Sequence, residues 1–173
     1  MVIEDGPTAG NPIGHTAIAV TGHGVYSFGT NTPLGSSTTD FLKMETPRRD
    51  QTITIIKTTP EQDQAAVNAL TQQNDKGGIN LYPDNCAARS NAALDAAGVP
   101  AIAPVVNPSN GTVIMHDQSI PGSGGERAQQ TSGSQTTVIP KNSTTLPANT
   151  NQFNPAPNQQ PVPENKKPTG SSS

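Results

Sequence analysis

One cysteine, Cys86, and three histidines, His15, His23 and His116, hold most of the covalent chemistry open to this chain. Cys86 lies in Asn80-Leu-Tyr-Pro-Asp-Asn85-Cys86-Ala-Ala-Arg-Ser90, which reads as a short extended segment, a turn, and a helix whose first turn carries the thiol. A thiol there meets backbone N–H groups without helical partners and the positive end of the helix dipole. Both favour thiolate and predict a pKa below the free value of about 8.5. His15 heads an apolar strand, Gly14-His15-Thr-Ala-Ile-Ala-Val20. An imidazole brought across the helix start can take the thiol proton as sulfur attacks a carbonyl, then return it to the leaving group. Backbone N–H groups at the helix start, that of Cys86 included, would hold the oxyanion.

Such a pair needs a strand, a helix and an orienting third group. Ile18 and Val20, with Val25 and Phe28, flank Thr21-Gly22-His23-Gly24, a hairpin signature. A two-residue turn on Gly22-His23 puts Tyr26, Phe28 and Thr30 on the face of His15, making Tyr26 the orienting candidate. A one-residue bulge brings Ser27 there instead, and both stay open. Residues 30–37 read as a loop and 38–45 as a short helix capped by Ser36 or Ser37. The alternating β-branched residues of 51–57 form the clearest strand. Thr59-Pro60-Glu61-Gln62 opens a helix to about Gln73, with a capping hydroxyl, proline at the first position and glutamine at the third. The cysteine helix runs from near Asn85 to Gly98, with Asp84 as its N-cap. It stacks Cys86, Ser90, Ala93, Leu94 and Ala97 on one face. Thr112 to Met115 suggests a further short strand.

Composition bounds the rest. The 173 residues are 31% hydrophobic and 3% aromatic with no tryptophan, and apolar clusters fall mainly between residues 12 and 115. The expected organisation is a lead-in over 1–11, one folded domain over 12–120, and a low-complexity, largely disordered tail over 121–173. Within that tail only Thr137-Val-Ile-Pro140 looks able to dock, as an edge strand. A net charge of -3 offers no basic footprint for nucleic acid. No run reaches the ~18 apolar residues that would span a bilayer, and the first residues lack the basic and apolar regions of a signal peptide. No metal-ligand spacing and no phosphate-binding glycine loop is present, so no cofactor or metal is expected. His23, between two glycines, and Arg48-Arg49 read as solvated, and His116-Asp117 as a weak candidate for an orienting or metal-ligand pair.

Two motifs together carry a resemblance. Gly14-His15-Thr16-Ala-Ile-Ala-Val20, followed by Val25-Tyr26-Ser27-Phe28-Gly29, resembles the histidine hairpin of the PPPDE peptidases and lecithin:retinol acyltransferase-like enzymes. Asn80-Leu-Tyr82, Asn85-Cys86 and the helix ending Gly98-Val-Pro100 resemble their cysteine motif. The resemblance covers residues 12–100. It implies an α+β, permuted papain-like fold related to NlpC enzymes, in which histidine precedes cysteine and an antiparallel sheet packs on the cysteine helix. The acyltransferase branch carries a second histidine about where Ser27 stands, so the third member of the site departs from that pattern.

The whole chain also looks like the variable C-terminal toxin region of bacterial Rhs-type polymorphic toxins. That implies an antibacterial effector released from an Rhs carrier, delivered by type VI secretion into a target cell, and matched by an immunity protein. Its place of action would be the periplasm or membrane. Its implied activity is acyl transfer to water through a thioester on Cys86, with His15 as base and then acid. Membrane phospholipid acyl esters are the first expected substrate. A peptidoglycan amide comes next and a protein isopeptide third. The reading from a different class is a binding module in which Cys86 packs as a small apolar side chain.

Overall fold

Val2 and Ile3 are almost fully buried, at 1% and 0% exposure, because the first residues are the middle of a sheet. In this computed structural model, which describes residues 1–80 and 82–166, Val2–Asp5 form β1. The strand pairs on one side with β2 (His15–Val20) and on the other with β4 (Gln51–Ile55). β3 (Gly24–Tyr26) flanks β2 and β7 (Gln135–Ile139) flanks β4, giving a five-stranded antiparallel sheet of order β3-β2-β1-β4-β7. The expected lead-in over 1–11 is therefore corrected. Val2 and Ile3 supply one buried side chain to each face, which a short apolar pair can do only from a central strand.

Both faces are covered. Val2, Ile18, Val20 and Phe28 pack with Ala66 and Leu70 of α2 (Pro60–Asp75) and with Ala93 and Leu94 of α3 (Cys86–Ala96). Ile3, Ala17, Ala19, Val25 and Ile53 pack with Phe41 and Leu42 of α1 (Thr38–Glu45) and with Phe153 of a 3₁₀ turn, Thr150–Phe153. This two-sided cover explains why every residue of β2 is buried. The fold class is α+β with an antiparallel sheet and the cysteine helix on one face of it.

Helix starts follow local chemistry. Ser37 caps α1 by accepting the Asp40 N–H at 3.2 Å. Thr59 and Gln62 form a reciprocal capping box on α2. The N-cap of α3 is Asn85, not Asp84: Asn85 Oδ1 accepts the Ala88 N–H at 3.0 Å. Asp84 is committed elsewhere, taking a two-pronged contact from Arg89, Nε to Oδ1 and Nη2 to Oδ2, both at 2.8 Å. Arg89 is fully buried, its guanidinium 5.0 Å from the centre of the Phe28 ring.

The expected disorder after residue 121 is also corrected for the described part, since residues 167–173 lie outside the described residues. Here α4 (Ser123–Gln129) packs against β1 and α3. Buried Arg127 locks it by donating to Pro100 O at 2.9 Å and to Val99 O, and by pairing with Asp95 at 2.6 Å. β7 docks as an edge strand through backbone pairing while four of its five residues stay exposed. Such segments order by attaching polar backbone and buried charge to an existing core, which composition alone does not reveal. β5 (Val105–Val106) and β6 (Val113–Ile114) form a separate two-stranded hairpin, the latter within the expected Thr112–Met115 strand.

Candidate active site

The β2–β3 connection decides what orients His15. Val20 pairs with Gly24, Ala19 with Val25 and Ile18 with Tyr26, so the loop has three residues, Thr21 to His23. Relative to a two-residue turn the register moves by one and every side chain of the second arm changes face. Ser27 thus comes to His15: imidazole Nε2 and Ser27 Oγ are 2.8 Å apart and both residues are buried. Tyr26 faces the opposite side and packs against the cluster of Ile18 and Val20, which removes it as the orienting residue. Thr30, expected beside His15 only for a two-residue turn, extends the chain of hydroxyls from Ser27 instead. Its Oγ1 lies 2.9 Å from Ser27 O and 3.2 Å from Ser27 Oγ.

Cys86 is the first residue of α3, and the fold brings that helix start to β2. The Thr16 backbone amide, next in sequence to His15, acts on the Cys86 thiol in favour of its anion, and Ser90 Oγ, one turn on, reaches Thr16 O at 3.5 Å. Cys86 and His15 line one cleft of about 280 Å³, together with Ile13, Phe28, Gly29, Ile79 and Pro121. No hydrogen bond joins the thiol to the imidazole, and Nδ1 of His15 takes none from any described residue. Asn85, beside the thiol, donates through Nδ2 to Ser119 O at 2.6 Å and so holds the loop before α4 over the helix start.

The electrostatics reverse one expectation. Burial pushes the Cys86 thiol pKa up. The backbone amides of Thr16 and Ala87 oppose this, and the nearby Glu4 carboxylate adds to it. Desolvation at a 9% exposed side chain outweighs the helix-terminus effect assumed from sequence. Burial, with the Arg49 guanidinium second, brings His15 down to about 4. Both shifts favour the neutral thiol and the neutral imidazole at rest. A neutral imidazole can use Nδ1 as base once Nε2–H donates to Ser27 Oγ.

His15 also lines a second, larger cavity of about 720 Å³. Its wall is mixed: Thr30, Ser37, Asp40, Glu45, Arg48 and Arg49 stand beside Pro33, Phe41, Met44 and Pro161. Arg49 is not the solvated corner its sequence suggests: it is 9% exposed and pairs with buried Glu45 at 2.9 Å. The spacing of Glu45 and Arg49, one helical turn, was the available signal. Glu4 was likewise missed. Its carboxylate accepts from Thr16 Oγ1 at 2.7 Å and from the N–H groups of Gly122 and Gly125 at 2.9 and 2.8 Å, tying α4 to β2 beside the site.

The remaining candidates stand apart from this cleft. His23 Nδ1 meets the Gln159 side-chain amide at 2.6 Å. His116 lies 3.8 Å from Glu126, and Asp117 accepts from the N–H and hydroxyl of Ser119. Among the described residues no group of three or more His, Cys, Asp or Glu is placed to hold a metal ion. Nor is any helix among the described residues long and apolar enough to cross a membrane. Comparison of the chain with family models, with curated proteins and with solved structures gives no match.

Proposed function

We propose that this chain is a cysteine-dependent acyl hydrolase, and the observation that carries the reading is the shared cleft of Cys86 and His15, with Ser27 on the far ring nitrogen. His15 Nδ1 takes the thiol proton as Sγ forms a bond to the substrate carbonyl carbon. The Cys86 N–H, at the helix start, donates to the oxyanion. Collapse breaks the bond to the leaving group, which leaves with the proton from His15, and a thioester remains. Water, deprotonated by the same imidazole, then cleaves the thioester and restores the thiol. The His-before-Cys order and the cysteine helix against an antiparallel sheet support a permuted papain-like arrangement.

The two cavities divide the substrate. The acyl portion belongs in the cleft at Cys86 and the leaving group on the His15 side, where it is protonated. The carboxylates of Asp40 and Glu45 and the guanidinium groups of Arg48 and Arg49 on that side can hydrogen-bond an amide leaving group, so peptidoglycan amide hydrolysis, or isopeptide cleavage, becomes the favoured reading. Phospholipid ester cleavage, first from sequence, is second. Ile13, Phe28, Ile79 and Pro121 favour it, but at about 280 Å³ the cleft is smaller than the roughly 300–1,000 Å³ of pockets that enclose drug-sized ligands. The setting we infer is that of an antibacterial Rhs-type effector acting in the periplasm or at the membrane and blocked by an immunity protein.

The test is periplasmic production of wild type, Cys86→Ala and His15→Ala, with muropeptide and lipid profiles of the treated cells. Cysteine-dependent muropeptide changes support the amidase reading, and lysophospholipids or free fatty acids move the reading to an esterase. Killing by both variants equal to wild type, with unchanged profiles, removes the enzyme and leaves a binding module.

A further inference from the structure

Residues 154–166 run across the surface beside the larger cavity, held by backbone groups and by the side chains of Asn154, Gln159, Glu164 and Lys166. The Ala156 N–H donates to Gly22 O at 2.8 Å. Leu34 and Val162 exchange both backbone hydrogen bonds at 2.8 Å in antiparallel sense. The Asn165 N–H donates to Asn74 Oδ1 at 2.8 Å. Glu164 Oε1 accepts the Gly29 N–H at 2.9 Å, and its other oxygen is buried with no hydrogen-bond partner among the described residues. Pro161 lines the 720 Å³ cavity, and Gly29 lines both that cavity and the Cys86 cleft. Val162 itself is 54% exposed, so pairing rather than apolar burial holds the segment there.

We infer that this segment occupies, within its own chain, a groove that takes an extended polypeptide. The ligand adds as a strand at Leu34 and sets an acidic group, two residues further on, against the Gly29 N–H. The inference rests on the hydrolase reading above for calling the ligand a substrate, and names its class: an extended peptide bearing a carboxylate. Strand addition draws affinity from main-chain hydrogen bonds and tolerates varied side chains. Occupancy by a tethered segment acts at an effective concentration in the millimolar range for a short link, so it shields the groove while remaining exchangeable. Gly29 fits the role of a backbone donor. Its φ is +79° and a Cβ there would run into the Ile79 side chain.

The experiment uses the full chain with Val162→Pro and Glu164→Ala, which remove the donor to Leu34 O and the carboxylate on Gly29. A fluorescein-labelled peptide of residues 155–166 is titrated against wild type and variant and followed by anisotropy. The variant should bind at least tenfold more tightly than wild type, and a peptide with Glu164→Gln should lose most of that gain. Equal binding by both proteins, or none by a variant with unchanged melting temperature, overturns the groove. If the double variant does not fold, Glu164→Ala alone carries the same comparison. Peptide binding does not depend on the thiol. A bound peptide together with full killing by Cys86→Ala therefore keeps the groove while removing the chemistry.

Discussion

At the scale of single residues, a neutral pair differs from a preformed ion pair in its pH behaviour. His15 is depressed to about 4, so in the proposed hydrolase the base is ready from mildly acid pH upward and the acid limb of kcat/KM should fall near pH 4. The thiol stays protonated through neutral pH because burial raises it. Iodoacetamide should therefore modify Cys86 more slowly than free cysteine at pH 7, with a rate still climbing above pH 9. A plateau by pH 7 would show an ion pair and contradict the neutral one. Ser27 is a positioning residue in this scheme. Ser27→Ala should lower kcat by about a hundredfold through loss of ring orientation, leave KM nearly unchanged, and move the acid limb. A merely structural role would lower the melting temperature without moving that limb.

At the scale of elements, Glu4 joins β1, β2 and the start of α4 through one partly buried carboxylate. Burial raises its pKa from 4.5 to about 7, against the pull of its three hydrogen bonds. Between those values the folded chain holds a proton that the unfolded chain releases, so this group's contribution to stability is present below pH 4.5 and fades as pH rises to 7. Relative to Glu4→Gln, wild type should lose about 1–3 kcal/mol between pH 4.5 and 7.5, read from paired thermal melts. A constant difference across that range would mean Glu4 keeps an ordinary carboxylate pKa. The comparison isolates Glu4 from His15, whose lowered pKa acts in the opposite direction between about 4 and 6.5.

Across the whole molecule, what could be read in advance was whatever depends on nearby residues. The capping box at Thr59, the helix over Thr38–Glu45 and the strand from Gln51 follow from short-range propensity and capping. The pairing of Cys86 with His15 in one cleft was legible only as a possibility, because it needs β2 to cross the start of α3. The choice between Ser27 and Tyr26 turned on one residue of loop length, a difference of parity that local sequence barely encodes. β1 was hidden because four residues in a glycine- and proline-rich context give no period to count. The order after residue 121 was hidden because it comes from Arg127, Glu4 and edge pairing, each completed by a distant partner.

The raised pKa of Cys86 also bears on how long the proposed nucleophile would survive. Peroxides attack thiolate, and sulfenic acid formation and mixed disulfides both begin with that anion. A nearly covered thiol held neutral by its surroundings presents little of it until a carbonyl is in place. Under the proposed mechanism, such a sulfur would stay reduced in an oxidising compartment, and the arrival of the carbonyl itself would switch on its chemistry.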